Sequence, residues 1–279
     1  MNNICFPTIN LNLKINKIAF KIGNIAIYNY AVIIVLAIIA AFIFLYKNKD
    51  KFKIDFDFTY YTAIWCVIFG IIGARVYYIL FNLKYYIENL NQIFNLRNGG
   101  LAIYGGIIAG LIVVIIRCLK NKIDICDFLD YIIPSVAIAQ SIGRWGNFFN
   151  VEAYGKNSNN FLKMGIHTIE GYKEVHPVFL YESFFTFILF IILAKMQNKR
   201  KFKGQIVLIY LIMYSFVRFF LEKLRIDSLM FFSVRISSVI SAIIFVICFG
   251  LYLKNIFKCR KMSKNIKKGN SKKCLKTAI

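Results

Sequence analysis

Proline is almost missing from this sequence, with 3 in 279 residues. Long helices can therefore run without the breaks that an absent N–H and a ring clash impose. Histidine occurs only as His167 and His176, which excludes a multi-histidine metal centre. The seven cysteines (Cys5, Cys66, Cys118, Cys126, Cys248, Cys259 and Cys274) are scattered, with no C-x-x-C pair. Neither a zinc site nor a disulfide framework is expected from that spacing. Acidic residues are scarce, 13 against 36 Lys and Arg, which leaves a formal charge of +23. Such an excess is the usual footprint of a nucleic-acid binder. Here, however, the lysines flank apolar blocks, where they set membrane topology and attract anionic lipid, so no nucleic-acid partner is expected. The first twenty residues lack an apolar h-region and an A-x-A site, so the first apolar block is read as an uncleaved anchor.

What the sequence has is hydrophobicity, 59% of residues against about 45–50% in soluble domains. It is gathered into seven blocks near the 20-residue length that spans a bilayer, at 25–46, 60–81, 101–119, 128–149, 178–196, 205–221 and 234–253. Backbone in hydrocarbon must satisfy its own hydrogen bonds, so these blocks are predicted to be helices. The fold class is an all-α polytopic membrane bundle. Basic residues crowd the first loop (Lys47, Lys49, Lys51, Lys53), the third (Arg117, Lys120, Lys122) and the fifth (Lys195, Lys199, Arg200, Lys201, Lys203). The positive-inside rule puts these loops and the C-terminus in the cytoplasm and the N-terminus outside. Residues 1–253 are expected to form one transmembrane catalytic domain, with 150–177 as an extracytoplasmic insert. Alternation at Ile9, Leu11, Leu13 and Ile15 suggests a short strand or interfacial segment. The lysine-rich stretch 254–279 reads as a disordered cytoplasmic tail near anionic headgroups.

Arg75, Arg144 and Arg218 fall inside or at the ends of spans, all toward the outward side on this topology, and Arg235 opens the last span. A charge at membrane depth is costly unless paired, hydrated or functional. Two explanations fit any one arginine. It snorkels to outer headgroups and pairs with a nearby glutamate such as Glu152 or Glu182, or it lines a polar cavity. Arg218 and Glu222 are four apart and can pair on one helical face. Three arginines on one side favour a cavity, and a planar guanidinium suits a phosphate. Residues alone thus point to a phospholipid headgroup. Gly99, Gly100, Gly105, Gly106 and Gly110 fit close helix packing first and ligand access second.

Several separated motifs then stand in order: Ile27-Tyr28, GIIGARVYY (70–78), GGLAIYGG (99–106), GRWGNFFNVEAYG (143–155), HPVFLYES (176–183) and YSFVRFFLEKLR (214–225). Together, over about residues 5 to 250, they resemble the prolipoprotein diacylglyceryl transferase family of bacterial membrane enzymes. The resemblance implies transfer of an sn-1,2-diacylglyceryl group from phosphatidylglycerol to the lipobox cysteine of a preprolipoprotein signal peptide. A thioether forms and glycerol phosphate leaves, in the first step of lipoprotein maturation. It implies a multi-pass protein of the bacterial cytoplasmic (inner) membrane, with no metal and no cofactor. By the same resemblance Arg144 and Arg218 are the essential arginines, and Tyr28 and Tyr104 line the reaction site. Asn147, Glu152, Gly155 and Tyr214 join the two arginines in holding phosphatidylglycerol, with Glu152 orienting an arginine or another donor.

One position departs from the family. Many members carry histidine where this chain has Tyr104, and a phenol titrating near 10 is a poor base at neutral pH. The attacking thiol needs a base or a field that lowers its pKa. Either the base lies elsewhere, with His176 a substitute in principle, or the arginines suffice. A lipid transporter or flippase, and a scaffold anchored by outward arginines, are the competing classes. The ordered motifs and the lack of internal repeats disfavour the first.

Overall fold

The structure, a computed structural model, describes residues 2–95, 99–168, 171–226, 230–231 and 234–276. Four strands come first: β1 (Asn2–Phe6), β2 (Leu11–Ile15), β3 (Ile18–Ile22) and β4 (Ile25–Tyr28). Helices α1 (Asn29–Phe52), α2 (Phe56–Phe81), the short α3 (Leu83–Glu88), α4 (Ile103–Lys120) and α5 (Ile125–Asn150) follow. The hairpin β5 (Met164–Thr168) and β6 (Gly171–Val175) precedes α6 (Val178–Met196) and α7 (Gln205–Leu224). The chain closes with β7 (Met230–Phe231), β8 (Val234–Arg235) and α8 (Ile236–Lys276). Seven of these helices, all but α3, are long and apolar enough to cross a membrane. The helical polytopic class expected from the sequence therefore holds, with the strands confined to the segments around the spans.

Boundaries differ from the sequence reading where apolar strands abut apolar helices. The block read as one span from residue 25 begins with β4, which pairs with β3 in a hairpin turning at Gly23 and Asn24. Gly23 takes φ 57°, a left-handed conformation suited to glycine. Tyr28 thus ends a strand rather than opening a helix. Likewise β8 occupies the start of the block read from 234. At the other end α8 continues past Leu253 to Lys276 instead of giving way to irregular chain, and no proline interrupts it.

The chain divides into two compact units, Met1–Leu45 with Leu129–Ile279, and Tyr46–Phe128. In the first, the insert expected at 150–177 contributes β5 and β6 to a four-stranded antiparallel sheet of order β2-β1-β5-β6. Ile4, Ile15, Met164, Ile166 and Val175 from this sheet cluster with Phe148 of α5 and Phe179 of α6. Burial of that cluster seats the sheet on the ends of the two helices that carry Arg144 and Glu182.

A second core, of Ile133, Ala137, Leu189, Leu193, Ile206 and Tyr210, joins α5, α6 and α7. Polar contacts inside it fix the helices at one end. Pro134 has no N–H to give the Asp130 carbonyl, so that carbonyl lacks its helical partner. Gln197 Nε2 supplies one, donating to the carbonyls of Asp130 (3.0 Å) and Tyr131 (3.1 Å). The buried Asp130 carboxylate in turn caps α7, accepting from the backbone N–H groups of Gly204 (2.8 Å), Ile206 (2.9 Å) and Val207 (3.0 Å). These are orphan donors of a helix start, and Arg200 Nη1 adds a fourth bond at 3.2 Å.

In the second unit, α2 and α4 run antiparallel and very close. A Cβ on Gly73 would lie 2.7 Å from the Gly105 carbonyl oxygen and would also collide with Ala109 Cβ. Small residues allow such approach where no hydrophobic gradient drives association. Arg75, buried on α2, organises the segment between α3 and α4. Its Nε donates to Ile93 O (2.9 Å), Nη1 to Gly99 O (2.9 Å) and Gly100 O (3.0 Å), and Nη2 to Gln92 O (2.5 Å) and Asn95 O (3.1 Å). Its guanidinium also lies 5.2 Å from the centroid of Tyr86. The sequence reading grouped Arg75 with the phosphate-binding arginines. Its donors are instead committed to backbone carbonyls of its own unit.

Candidate active site

Arg144 sits six residues before the end of α5, and Arg218 six before the end of α7. Both reach one carboxylate, that of Glu182 in the second turn of α6. Arg144 Nη2 lies 2.5 Å from Glu182 Oε1, and Arg218 Nη1 lies 3.1 Å from Oε2. Tyr214 OH donates to Oε1 at 2.9 Å, one turn before Arg218 on the same helix. Gln140 Nε2 approaches Oε1 at 3.5 Å, and Gln140 Oε1 accepts from Tyr210 OH at 2.9 Å. The Tyr210 and Tyr214 rings stack, 5.7 Å apart and 1° from parallel. Just beside Glu182, Ser141 and Ser183 donate reciprocally to each other's carbonyls at 2.8 and 2.9 Å, which locks α5 against α6.

The i,i+4 pair expected on α7 is present, with Arg218 Nη2 2.8 Å from Glu222 Oε2. Two guanidinium groups thus face two buried carboxylates, and a third, that of Arg235, donates through Nη1 to the Glu222 backbone carbonyl. The partners differ in access. The Glu182 side chain keeps 2% of its surface, whereas Arg144 and Arg218 keep 22% and 15%. The carboxylate is sealed and the arginines are reachable. An arginine carries five N–H donors in a fixed fork, so groups beyond those held by the carboxylates are left for a second anion.

Asn147 lies one turn after Arg144, its Oδ1 3.5 Å from Arg144 Nη1. Asn147 Nδ2 donates to Glu152 Oε1 at 2.9 Å, and Asn150 Nδ2 donates to the same oxygen at 3.3 Å. Glu152 therefore orients Asn147, and through it Arg144. Its backbone is held tightly: Glu152 N donates to Asn147 O at 3.0 Å, and its neighbours Val151 and Ala153 take φ of 54° and 55°. A β-branched residue in that left-handed region is strained, and such strain persists only where the surroundings impose it.

Gly155 plays a different part. Its N–H donates to His176 O at 2.8 Å, and it pairs with Arg225 in an isolated bridge. A Cβ there would meet His176 Cβ and Leu224 O at 2.8 Å and Val178 Cγ2 at 2.9 Å. Glycine lets the chain leaving α5 pass between the end of α7 and the start of α6. The His176 ring sits 3.4 Å from Tyr181 OH through Nδ1, and burial holds its pKa below the usual histidine value of 6.5.

Tyr28 projects at the end of β4, half-exposed, beside a groove of about 440 Å³ lined by Lys17, Tyr28, Tyr30, Ala31, Asn150 and Glu152. Through Glu152 that groove connects to the Asn147–Arg144 chain. Tyr104 belongs to the other unit, in the first turn of α4 and half-buried. The structure thus joins Arg144, Asn147, Glu152, Tyr214 and Arg218 in one network, and its hub is a residue not among the sequence candidates. From the sequence Glu182 is an acid near the outer boundary that could pair with one arginine, and the structure has it hold two. The signal for it was a carboxylate inside an apolar run, on the same side as the arginines.

The arrangement offers fixed, partly accessible cations at membrane depth, a site for a group that gains or carries negative charge. The sequence model described as Prolipoprotein diacylglyceryl transferase matches residues 17–254. A Phosphatidylglycerol--prolipoprotein diacylglyceryl transferase of Finegoldia magna is 40% identical over 244 residues, which cover 87% of this chain and 96% of that protein. A protein of the same name from Lactobacillus acidophilus is 40% identical over 259 residues, 88% of this chain and 92% of its own. Another, from Clostridioides difficile, is 38% identical over 251 residues, 90% and 98% respectively. The chain belongs to the prolipoprotein diacylglyceryl transferase family.

Proposed function

We propose that this protein transfers the sn-1,2-diacylglyceryl group of phosphatidylglycerol to the lipobox cysteine thiol of a preprolipoprotein signal peptide. The sulfur–carbon bond of a thioether forms, the carbon–oxygen bond to the phosphate breaks, glycerol phosphate leaves, and the thiol proton is lost. Family membership supports the reaction class. The observation that carries the site is the convergence of Arg144 and Arg218 on one sealed carboxylate, with guanidinium edges still accessible. An anion seated on those edges is the phosphate of the lipid, and its leaving-group charge is stabilised by donors that need no rearrangement. Glu182 and Glu222 offset the charge of Arg144 and Arg218, and Arg235 stands at the Glu222 carbonyl as a further cation, so the phosphate is held by hydrogen bonds and by the local positive field.

Asn147, Glu152 and Tyr214 hold the arginines and complete the headgroup site, while Gly155 shapes the chain around it. By the family resemblance Tyr28 and Tyr104 both take part in the reaction. The protein works in the bacterial cytoplasmic membrane with the site toward the outer leaflet, as the basic loops indicate. Mixing the purified protein with phosphatidylglycerol and a lipobox peptide should add one diacylglyceryl mass to the peptide cysteine. Arg144→Ala and Arg218→Ala should each abolish the gain. A well-folded protein that gives no gain with this lipid would overturn the reading, and full activity in Tyr104→Phe would remove the phenol from the proton transfer.

A further inference from the structure

The unit Tyr46–Phe128 carries a groove built from residues that take no part in the chemistry above. On α4 its lining is Ala109, Ile112, Val113, Ile116, Arg117 and Lys120. These fall at intervals of three and four, one stripe along the helix, with a rise of about 16 Å at 1.5 Å per residue. On α2 the wall is Trp65 and Phe69, one turn apart and stacked at 5.7 Å. The groove holds about 510 Å³, within the range of small-molecule sites. It is apolar along its length and cationic at one end only.

The cationic end is not explained by the helix terminus. Basic residues in a last turn commonly serve its free carbonyls. Here those carbonyls have other donors: Asn121 N and Nδ2 reach Arg117 O at 3.1 and 2.9 Å, Lys122 N reaches Leu119 O at 3.3 Å, and Ile123 N reaches Cys118 O at 2.9 Å. The Arg117 guanidinium is drawn sideways onto α2 instead. Its Nε donates to Thr62 Oγ1 at 3.3 Å, and it lies 5.2 Å from the centroid of Phe58. That anchors a fixed cation at the mouth of the groove, with Lys120 one turn farther on. In a membrane-crossing helix pair the groove runs with the spans, parallel to lipid chains, and its charged end lies where the span meets water. An acyl chain matches the stripe and a phosphate matches the fork.

We propose that this α2–α4 groove binds one anionic phospholipid as a resident ligand, an acyl chain along the stripe and the phosphate on Arg117 and Lys120. The proposal rests on the chain crossing a membrane and stands apart from the transferase reading. The test uses the full chain in mild detergent with a phosphatidic acid that carries a diazirine on one acyl chain. This lipid has the anionic phosphate and lacks the glycerol leaving group. Cross-links located by mass spectrometry should fall at 65–69 and 109–116, and excess phosphatidic acid should suppress them while phosphatidylcholine does not. At about 1 kcal/mol per basic residue near a lipid surface, Arg117→Gln with Lys120→Gln should weaken that competition about thirtyfold. Ile112→Trp, which fills the groove and leaves both cations, should abolish labelling there. Equal competition by phosphatidylcholine, or labels spread evenly over other spans, would overturn the proposal by showing ordinary boundary lipid. Equal competition by glycerol phosphate would overturn it by showing an anion site without a lipid groove. Both competition results come from the unaltered protein, so they stand even if a variant fails to fold.

Discussion

Replacing Glu182 by glutamine keeps the side chain's shape and removes its charge, leaving Arg144 and Arg218 facing an amide. Breaking a buried ion pair by removing one partner costs about 3–5 kcal/mol. Arg144 and Arg218 keep 22% and 15% of their side-chain surface, so water relieves part of the penalty and the lower end, about 3 kcal/mol, is expected. For a chain of this size each kcal/mol moves the melting temperature by about 2–4 °C, so a fall of roughly 6–12 °C is expected in detergent. Activity should suffer more than stability. The carboxylate sets where both guanidinium groups stand, and a displacement of about 1 Å in a positioned group costs about a hundredfold in rate. Peptide lipidation followed by mass spectrometry, with phosphatidylglycerol varied, should show the loss in turnover. Tyr214→Phe removes one bond to the same oxygen and should cost only about 1.5–3 kcal/mol. If Glu182→Gln keeps turnover within about threefold and melts within about 2 °C of the parent, the two arginines do not depend on Glu182 and the reasoning fails.

Gly155→Ala should destabilise by about 1–3 kcal/mol, because the new Cβ meets the Leu224 carbonyl oxygen at 2.8 Å, and thermal unfolding reads this directly. Asp130→Asn should cost about 3–5 kcal/mol, with faster hydrogen exchange in the first turn of α7, whose amides it caps. Arg75→Gln should leave several half-buried carbonyls without their donor, at about 1 kcal/mol each, and open the chain at Gln92 to Asn95 to limited proteolysis. His176 has a folded pKa below 6.5 because of burial, so the unfolded chain binds its proton first. Stability should therefore fall as pH drops through about 6.5, and His176→Gln should lose that increment of acid sensitivity while unfolding is followed across pH.

The seven spans were legible because hydrocarbon demands a long apolar run for each crossing, and charge at their ends is easily counted. The Arg218–Glu222 pair was legible too, since helical spacing alone brings residues four apart together. The convergence of both arginines on Glu182 was not, because it lies 38 and 36 residues from them and only packing of three helices reveals the meeting. Arg75 misled for a related reason. Its partners are carbonyl oxygens, which every residue carries and no sequence advertises. The strand at Ile25–Tyr28 was hidden by its own composition, since an apolar strand leading into an apolar helix has no change of polarity to mark the join. The sequence located the site's cations, and the fold supplied what holds them.

The three helices of the site are tied at two levels. At one, Asp130 and Gln197 bind α5 and α6 to each other and to the start of α7. At the other, Glu182 joins Arg144 and Arg218. Fourteen positions separate Asp130 from Arg144, twelve separate Ile206 from Arg218, and fifteen separate Glu182 from Gln197. At 1.5 Å per residue these are rises of about 21, 18 and 22 Å, three struts of nearly one height. Adding or removing a residue in any strut would turn its far end by about 100° and swing the arginine or the glutamate away from the meeting point. Residue count between the ties is therefore a functional quantity in its own right. Exchanging an exposed side chain along these stretches leaves the meeting point where it is, whereas changing the number of residues does not.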